Sequence, residues 1–142
     1  MKTKYFSFLS YNLFEFGDQH VSQFIVFESK YLFSIIFFYF HKSSGCQDRF
    51  HTHAFNALSF RVFGNYIEEF IVDNYEIVSK PRDRSRLLYI PKNSFHRITK
   101  SDGCLTILLS GRWEKTWKEY VNGQLIIYNW NRHVLQNETI SL

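Results

Sequence analysis

Apolar and polar positions alternate along most of this chain with a period near two, and turn signals interrupt the alternation at short intervals. Residues 21–29, VSQFIVFES, read as a strand. Residues 31–42, YLFSIIFFYFHK, read as a long buried strand by their length and their Phe, Ile and Tyr content. A polar loop over 41–49 leads into FHTHAFNALSFRVF, residues 50–63, a second long strand, and Gly64-Asn65 turns the chain into YIEEFIVD. Asp73-Asn74 marks a turn before YEIVS, and 80–85 form a charged loop. RLLYI is a strand ending at Pro91, and SFHRIT follows a tight loop. Ser101-Asp102-Gly103 turns into CLTILLS, which stops at Gly111. KTWKEYV and QLIIYNW flank Asn122-Gly123 and read as a hairpin. The first 28 residues alternate loosely and suit a strand or a short helix, and the tail from 131 is polar and expected to be loose.

Nine or ten short strands with no long amphipathic helix predict an all-β sandwich, jelly roll or small barrel. At 142 residues the chain is expected to be one domain, 1–142, with its core over about 30–128, an N-terminal extension 1–28 and a polar tail 131–142. Aromatics make up 20% of the sequence, which strengthens the β reading, because aromatic side chains suit pleated, half-buried surfaces. The same excess predicts a homodimer, since a sheet rich in aromatics leaves apolar faces for a partner to cover.

The formal net charge of +4 permits an anionic ligand but no dense basic block points to nucleic acid. Lys80, Arg82, Arg84 and Arg86 read as a solvated loop. No apolar run approaches the ~20 residues that span a bilayer, and no secretory signal is evident, so a cytoplasmic protein with no membrane partner is expected. Cys46 and Cys104 are too few for a disulfide framework.

Chemistry concentrates at His51 and His53. On a strand, residues two apart face the same side, about 6.6 Å apart, so two imidazoles can lean toward one point. A third nitrogen from another strand would complete a three-sided donor face with positions left open for water or substrate, and His96 is the candidate. His20, His41 and His133 have no paired spacing and are expected not to be ligands.

The spacing around these histidines resembles the cupin superfamily. Its first motif runs Gly, five residues, His-x-His, three or four residues, Glu, six residues, Gly. Here Gly45, His51, His53, Ala57 and Gly64 stand at those places, with Ala57 in place of the Glu. The second motif, Pro-x-Gly-x-x-His, is matched by Pro91, Asn93 and His96, with Asn93 where Gly is usual; Asn tolerates the left-handed backbone such a turn would need. The chain is also similar to little-characterised cupin-like proteins of bacteria and their viruses, in which a Gly and acidic residues follow the histidine strand, as Gly64, Glu68 and Glu69 do here, and a Ser-Gly pair and a Trp come later, as Ser110, Gly111 and Trp117 do.

The resemblance implies a cupin-type barrel holding one divalent metal ion on His51, His53 and His96. Three-histidine cupins without the Glu resemble the thiol dioxygenases, which favours Fe(II), with Zn, Ni or Mn as other choices, and a dioxygenase-like enzyme acting on a small polar or anionic molecule. The alternative is a cupin that binds or sequesters a nucleotide or metabolite without catalysis, with or without metal. The parity of the histidine strand points Ala57, Ser59 and Arg61 inward, with Arg61 either in the pocket or meeting Glu68 or Glu69 at its mouth. Arg86 and Tyr89, on the strand before His96, and Cys104 and Thr106, on the strand after it, are further pocket candidates. No general base stands beside the histidines in this reading, because the inward position is Ala57. Trp113 and Trp117, among basic residues and on one predicted strand face, are candidates for stacking on a base or for covering the sheet.

Overall fold

The computed structural model describes residues 6–45, 47, 49–73, 76–82, 85–130 and 132–140. These form thirteen strands: β1 (Phe6–Phe16), β2 (Gln19–Ser29), β3 (Ser34–Phe40), β4 (Phe50–His51), β5 (Ala57–Phe63), β6 (Tyr66–Ile71), β7 (Ile77–Pro81), β8 (Leu87–Ile90), β9 (Phe95–Ser101), β10 (Cys104–Ser110), β11 (Thr116–Val121), β12 (Gln124–Asn129) and β13 (Val134–Thr139). They make two antiparallel sheets, in the orders β1-β2-β3-β10-β5-β8 and β13-β12-β11-β4-β9-β6-β7. Among the described residues no pairing closes the two into a barrel, so the architecture is the jelly-roll sandwich form of the expected all-β fold. Among the described residues no helix is long and apolar enough to cross a membrane.

The inner faces of the sheets meet over two apolar clusters. One gathers Ile25, Ile36, Ala57, Ile90 and Leu108 from the first sheet with Ala54 and Phe55, and the other joins Tyr66, Ile98 and Cys104. The N-terminal residues are strand rather than helix: β1 and β2 pair in register through a Gly17-Asp18 turn whose Gly17 has φ 61°, and β2 continues the sheet into β3. The tail is more ordered than expected, because Val134–Thr139 pairs with β12 as an exposed strand. Asn122 (φ 50°) and Gly123 (φ 77°) both take the left-handed backbone of a two-residue type I′ turn, as the hairpin reading required.

The stretch 50–63 departs most from expectation. It is two strands in different sheets, β4 and β5, joined by an irregular crossing over 52–56. Hydrogen bonds to neighbouring segments hold that crossing. The Thr52 N–H donates to the Lys118 carbonyl (2.8 Å), the Lys118 N–H donates to Thr52 Oγ1 (2.9 Å), and the Gly111 N–H donates to the Asn56 carbonyl (2.9 Å). Switching sheets at a corner is how a sandwich seals its end, and here the corner carries His53.

Candidate metal centre

The site is built where β4, only two residues long, lies between β9 and β11. His51 is directly opposite His96 on β9 and Glu119 on β11. His53 follows in the crossing. The three rings sit together, with centroids 4.6 Å (His51–His96), 4.9 Å (His53–His96) and 5.2 Å (His51–His53) apart. One ring nitrogen from each lies within 4.8 Å of the others. The Nε2 atoms of His53 and His96 are 2.8 Å apart and share a hydrogen bond. Two nitrogens bound to one ion at about 2.0–2.1 Å would lie about 3 Å apart, so a small opening of this pair admits a metal.

The electrostatics suit donors of that kind. Burial lowers the pKa of His51 well below the usual imidazole value, and the neighbouring His96 and His53 lower it further. Burial, then His96, lowers His53 to about 3. Both rings are therefore neutral at pH 7, with lone pairs free for a metal. Because the folded pKa lies below the unfolded value of 6.5, the unfolded chain binds more protons than the folded one in the acid range. Stability conferred by the neutral rings is thus complete above about pH 6.5 and is lost progressively as pH falls from there toward 3. The urea midpoint of metal-free protein should drop between pH 7.5 and 5, and the drop should be smaller in His53→Gln; an unchanged slope in that variant would show that His53 is not the titrating group.

Two carboxylates stand beside the histidines, which corrects the expectation that no acid–base group does. Glu68 on β6 is 3% exposed and its Oε1 accepts a hydrogen bond from His96 Nδ1. That bond fixes the proton on Nδ1 and leaves Nε2 as the donor atom, the arrangement by which a carboxylate orients a metal-binding imidazole. Glu119 is 6% exposed, lines the same cavity and pairs with Arg49 at 2.8 Å. Removing the Glu68 charge while keeping its acceptor, in Glu68→Gln, should weaken metal binding by about tenfold, and Glu68→Ala by about a hundredfold. Competition with a chromophoric chelator measures both, and equal affinities in all three proteins would refute the orienting role.

The histidines open into a cavity of about 230 Å³ between the sheets. Its walls are mostly aromatic and aliphatic, with Phe14, Phe16, Phe38, Phe55, Trp113 and Trp117 prominent. Gln47, Ser59, Thr106 and Arg132 add polar points. Tyr66 also faces it, its phenol kept protonated by burial and by the Glu68 charge, against the opposing pull of Arg82.

The remaining expected pocket residues divide. Ser59 and Thr106 are buried and line the cavity. Ala57 faces inward on β5 as its parity implies, but it packs in the apolar core beside the cavity and is not part of its lining. Arg61 meets neither Glu68 nor Glu69; its guanidinium donates to the Gly64 carbonyl at 2.8 Å, while Glu69 pairs with Arg97. Tyr89 is 57% exposed on the outer face, and Arg86 is exposed too. Cys104 is fully buried in the second cluster, outside the cavity wall, and burial pushes its thiol up to about 11, so it is neither thiolate nor ligand. Cys46 and Arg84 lie outside the described residues. Asn93 does not take a left-handed backbone; the turn closes through the Ser94 N–H to the Pro91 carbonyl at 3.1 Å without one.

Trp113 lies in the loop before β11, not on a strand with Trp117, yet both line the cavity; Trp117 stacks on Tyr128 with centroids 4.7 Å apart. Arg82, expected in solvent, is 4% exposed and donates to the carbonyls of Ser59 (2.8 Å) and Ser85 (2.6 Å). His20 reaches Glu15, and His41 bonds Ser22, so neither belongs to the cluster.

No family model matches the chain, and no curated protein does. Solved structures do. Oxalate decarboxylase from Bacillus subtilis superposes with a TM-score of 0.53 at 14% identity, over 80% of this chain and 30% of that one. CapF, solved with the inhibitor 3-isopropenyl-tropolone, gives 0.51 at 16% identity, over 72% of this chain and 31% of that one. This chain thus spans under a third of each. A further structure of the Bacillus decarboxylase, from a study of its Mn(II) centres, superposes at 0.52 with 12% identity, over 80% of this chain and 30% of that one. These neighbours are cupins, and this chain shares their jelly-roll fold.

Proposed function

We propose that the chain is a metal-binding cupin acting as a mononuclear enzyme on a small organic molecule, with one divalent ion held by His51, His53 and His96. The observation that carries this reading is the convergence of three buried or half-buried imidazoles, two of them held neutral, on one point of a cavity wall. A neutral nitrogen face with open positions suits ferrous iron first, and manganese, nickel or zinc after it. When bound, the ion would polarise a coordinated group and, as iron, bring O₂ within reach of it.

The chain's own residues supply the rest. Glu68 holds the His96 ring with Nε2 inward. The aromatic walls exclude water and pack against the apolar body of a ligand. Arg132, whose guanidinium lies 5.1 Å from the Phe14 ring and 5.9 Å from that of Trp117, gives an anionic end a counter-charge at the cavity. Tyr66 offers a phenol that stays a donor at any working pH. The substrate class is therefore a small molecule with a polar or anionic end for the ion and an apolar remainder.

Protein purified without an affinity tag should contain close to one equivalent of metal by plasma mass spectrometry. Loaded with Fe(II), it should consume O₂ in the presence of a member of a panel of small carboxylates and thiols. Protein that arrives empty and takes up none of Fe(II), Mn(II) and Zn(II) sinks the reading. Protein that binds the ion and the panel compounds without turnover would be a binding cupin instead.

A further inference from the structure

The outer face of the first sheet is as apolar as its inner one. Strand register puts its outward side chains in three cross-strand rows. The first runs Tyr89, Leu58, Leu109, Ile35, Phe27 and Phe8. The second runs Leu87, Phe60, Ile107, Phe37, Phe24 and Tyr11. The third runs Phe63, Leu105, Tyr39, Ser22 and Leu13. No Lys, Arg, Asp or Glu stands in any row, and the single aliphatic hydroxyl, Ser22, is bonded to Tyr11 and His41. The second sheet has a different outer face, with the Glu69–Arg97 ion pair and exposed Lys118 on it.

We infer that this face is a dimer interface, on which a second copy of the chain packs sheet against sheet about a two-fold axis. Ten of the side chains in these rows are each 40–62% exposed. At about 150–250 Å² for a whole aromatic side chain, they present on the order of 1,000 Å², against the about 800 Å² per partner that a standard interface buries. That exceeds the largest apolar patch of an ordinary monomer, roughly 300–600 Å². A second copy fits this surface better than other partners do. A twisted sheet is matched in shape by another of the same twist, and two such sheets pack face to face about 10 Å apart with strands near −30°. The three rows carry no charge, with the Glu15–His20 pair at their edge, so the face is complementary to itself and keeps most of the chain's net positive charge away from the contact. It also offers no cation to draw it to an anionic lipid surface. The metal centre lies on the opposite side of this sheet, so the interface leaves the cavity between the sheets unobstructed.

Light scattering of the metal-loaded protein at micromolar concentration should give twice the chain mass of 17.2 kDa. Phe60→Lys and, separately, Leu109→Lys put a charge at the centre of the face on adjacent strands and should each give the single-chain mass, with metal content and circular dichroism unchanged. Leu135→Lys, on exposed β13 of the other sheet, should stay dimeric. Two separate positions keep the test decisive if one variant misfolds. A monomeric wild type overturns the inference, and if it sediments with phosphatidylcholine vesicles the face serves a lipid surface instead. A dimer that survives both lysines overturns it as well.

Discussion

His96→Ala should lose metal by more than a hundredfold in affinity and should also be the least stable of the three histidine variants. The two effects have different causes. The loss of metal follows from the donor count: two neutral imidazoles from one strand and its crossing cannot close a face around an ion, and the third nitrogen comes only from β9. The loss of stability follows from Glu68, which is 3% exposed and bonded to His96 Nδ1. Truncating His96 strands that carboxylate, at about 1–3 kcal/mol for a buried polar group without its partner. His53→Ala removes a donor without stranding an acid, so it should match His96→Ala in metal affinity and melt higher when both are metal-free. Chelator competition and thermal melts of the metal-free proteins separate the two terms. Equal melting temperatures would mean that the Glu68–His96 bond contributes nothing to the fold, and retained affinity in either variant would remove that histidine from the donor set.

The three histidines were legible because their signal is local. His-x-His needs only strand periodicity, and the turn from Pro91 fixes where His96 emerges. The carboxylates were not, because their place depends on which strands become neighbours. Glu68 alternates with Tyr66 on one side of β6, which the sequence shows; that β6 lies beside β9, so that Glu68 reaches His96, is a matter of sheet order. Glu119 shares parity with Trp117, yet it adjoins the site only because β4 slots between β9 and β11. Parity placed Ala57 and Ser59 inward, but sheet order decides what each reaches: Ala57 the apolar core, Ser59 the cavity and Arg61 the Gly64 carbonyl. Reading 50–63 as one strand missed the sheet switch, because backbone hydrogen bonds from outside the segment, invisible in its pattern, carry the chain from one sheet to the other. Arg82 was misread for a related reason: charge predicts solvent unless carbonyls wait to receive it, and Ser59 and Ser85 do. Side-chain periodicity therefore identified the elements, while tertiary pairing decided which of their residues share the cavity.

Gly64→Ala should be among the most destabilising single substitutions in the chain, by at least about 3 kcal/mol, a fall in melting temperature of about 10 °C or more. Gly64 ends the motif spacing, but its role is in the backbone. It takes φ +77°, where an L side chain costs roughly 1–2 kcal/mol. A methyl there would also sit 1.8 Å from the Gly103 carbonyl oxygen and 2.7 Å from Cys104 Cα. Those are main-chain atoms of a second tight turn, whose Gly103 is itself at φ +87°, so neither side can yield without shifting the β5–β6 connection between the two sheets or the turn before β10. The turn leads directly into β6, which carries Glu68, so the substitution should weaken metal binding in addition to the fold. Gly123→Ala is the control: it has the same φ of +77° but its nearest neighbour would be 3.7 Å away. It should show the conformational term alone, about 1–2 kcal/mol, with metal affinity intact. Differential scanning calorimetry of the two variants beside the wild type decides the matter, and similar melting temperatures for both would show that the close approach of the two turns is not what Gly64 is needed for.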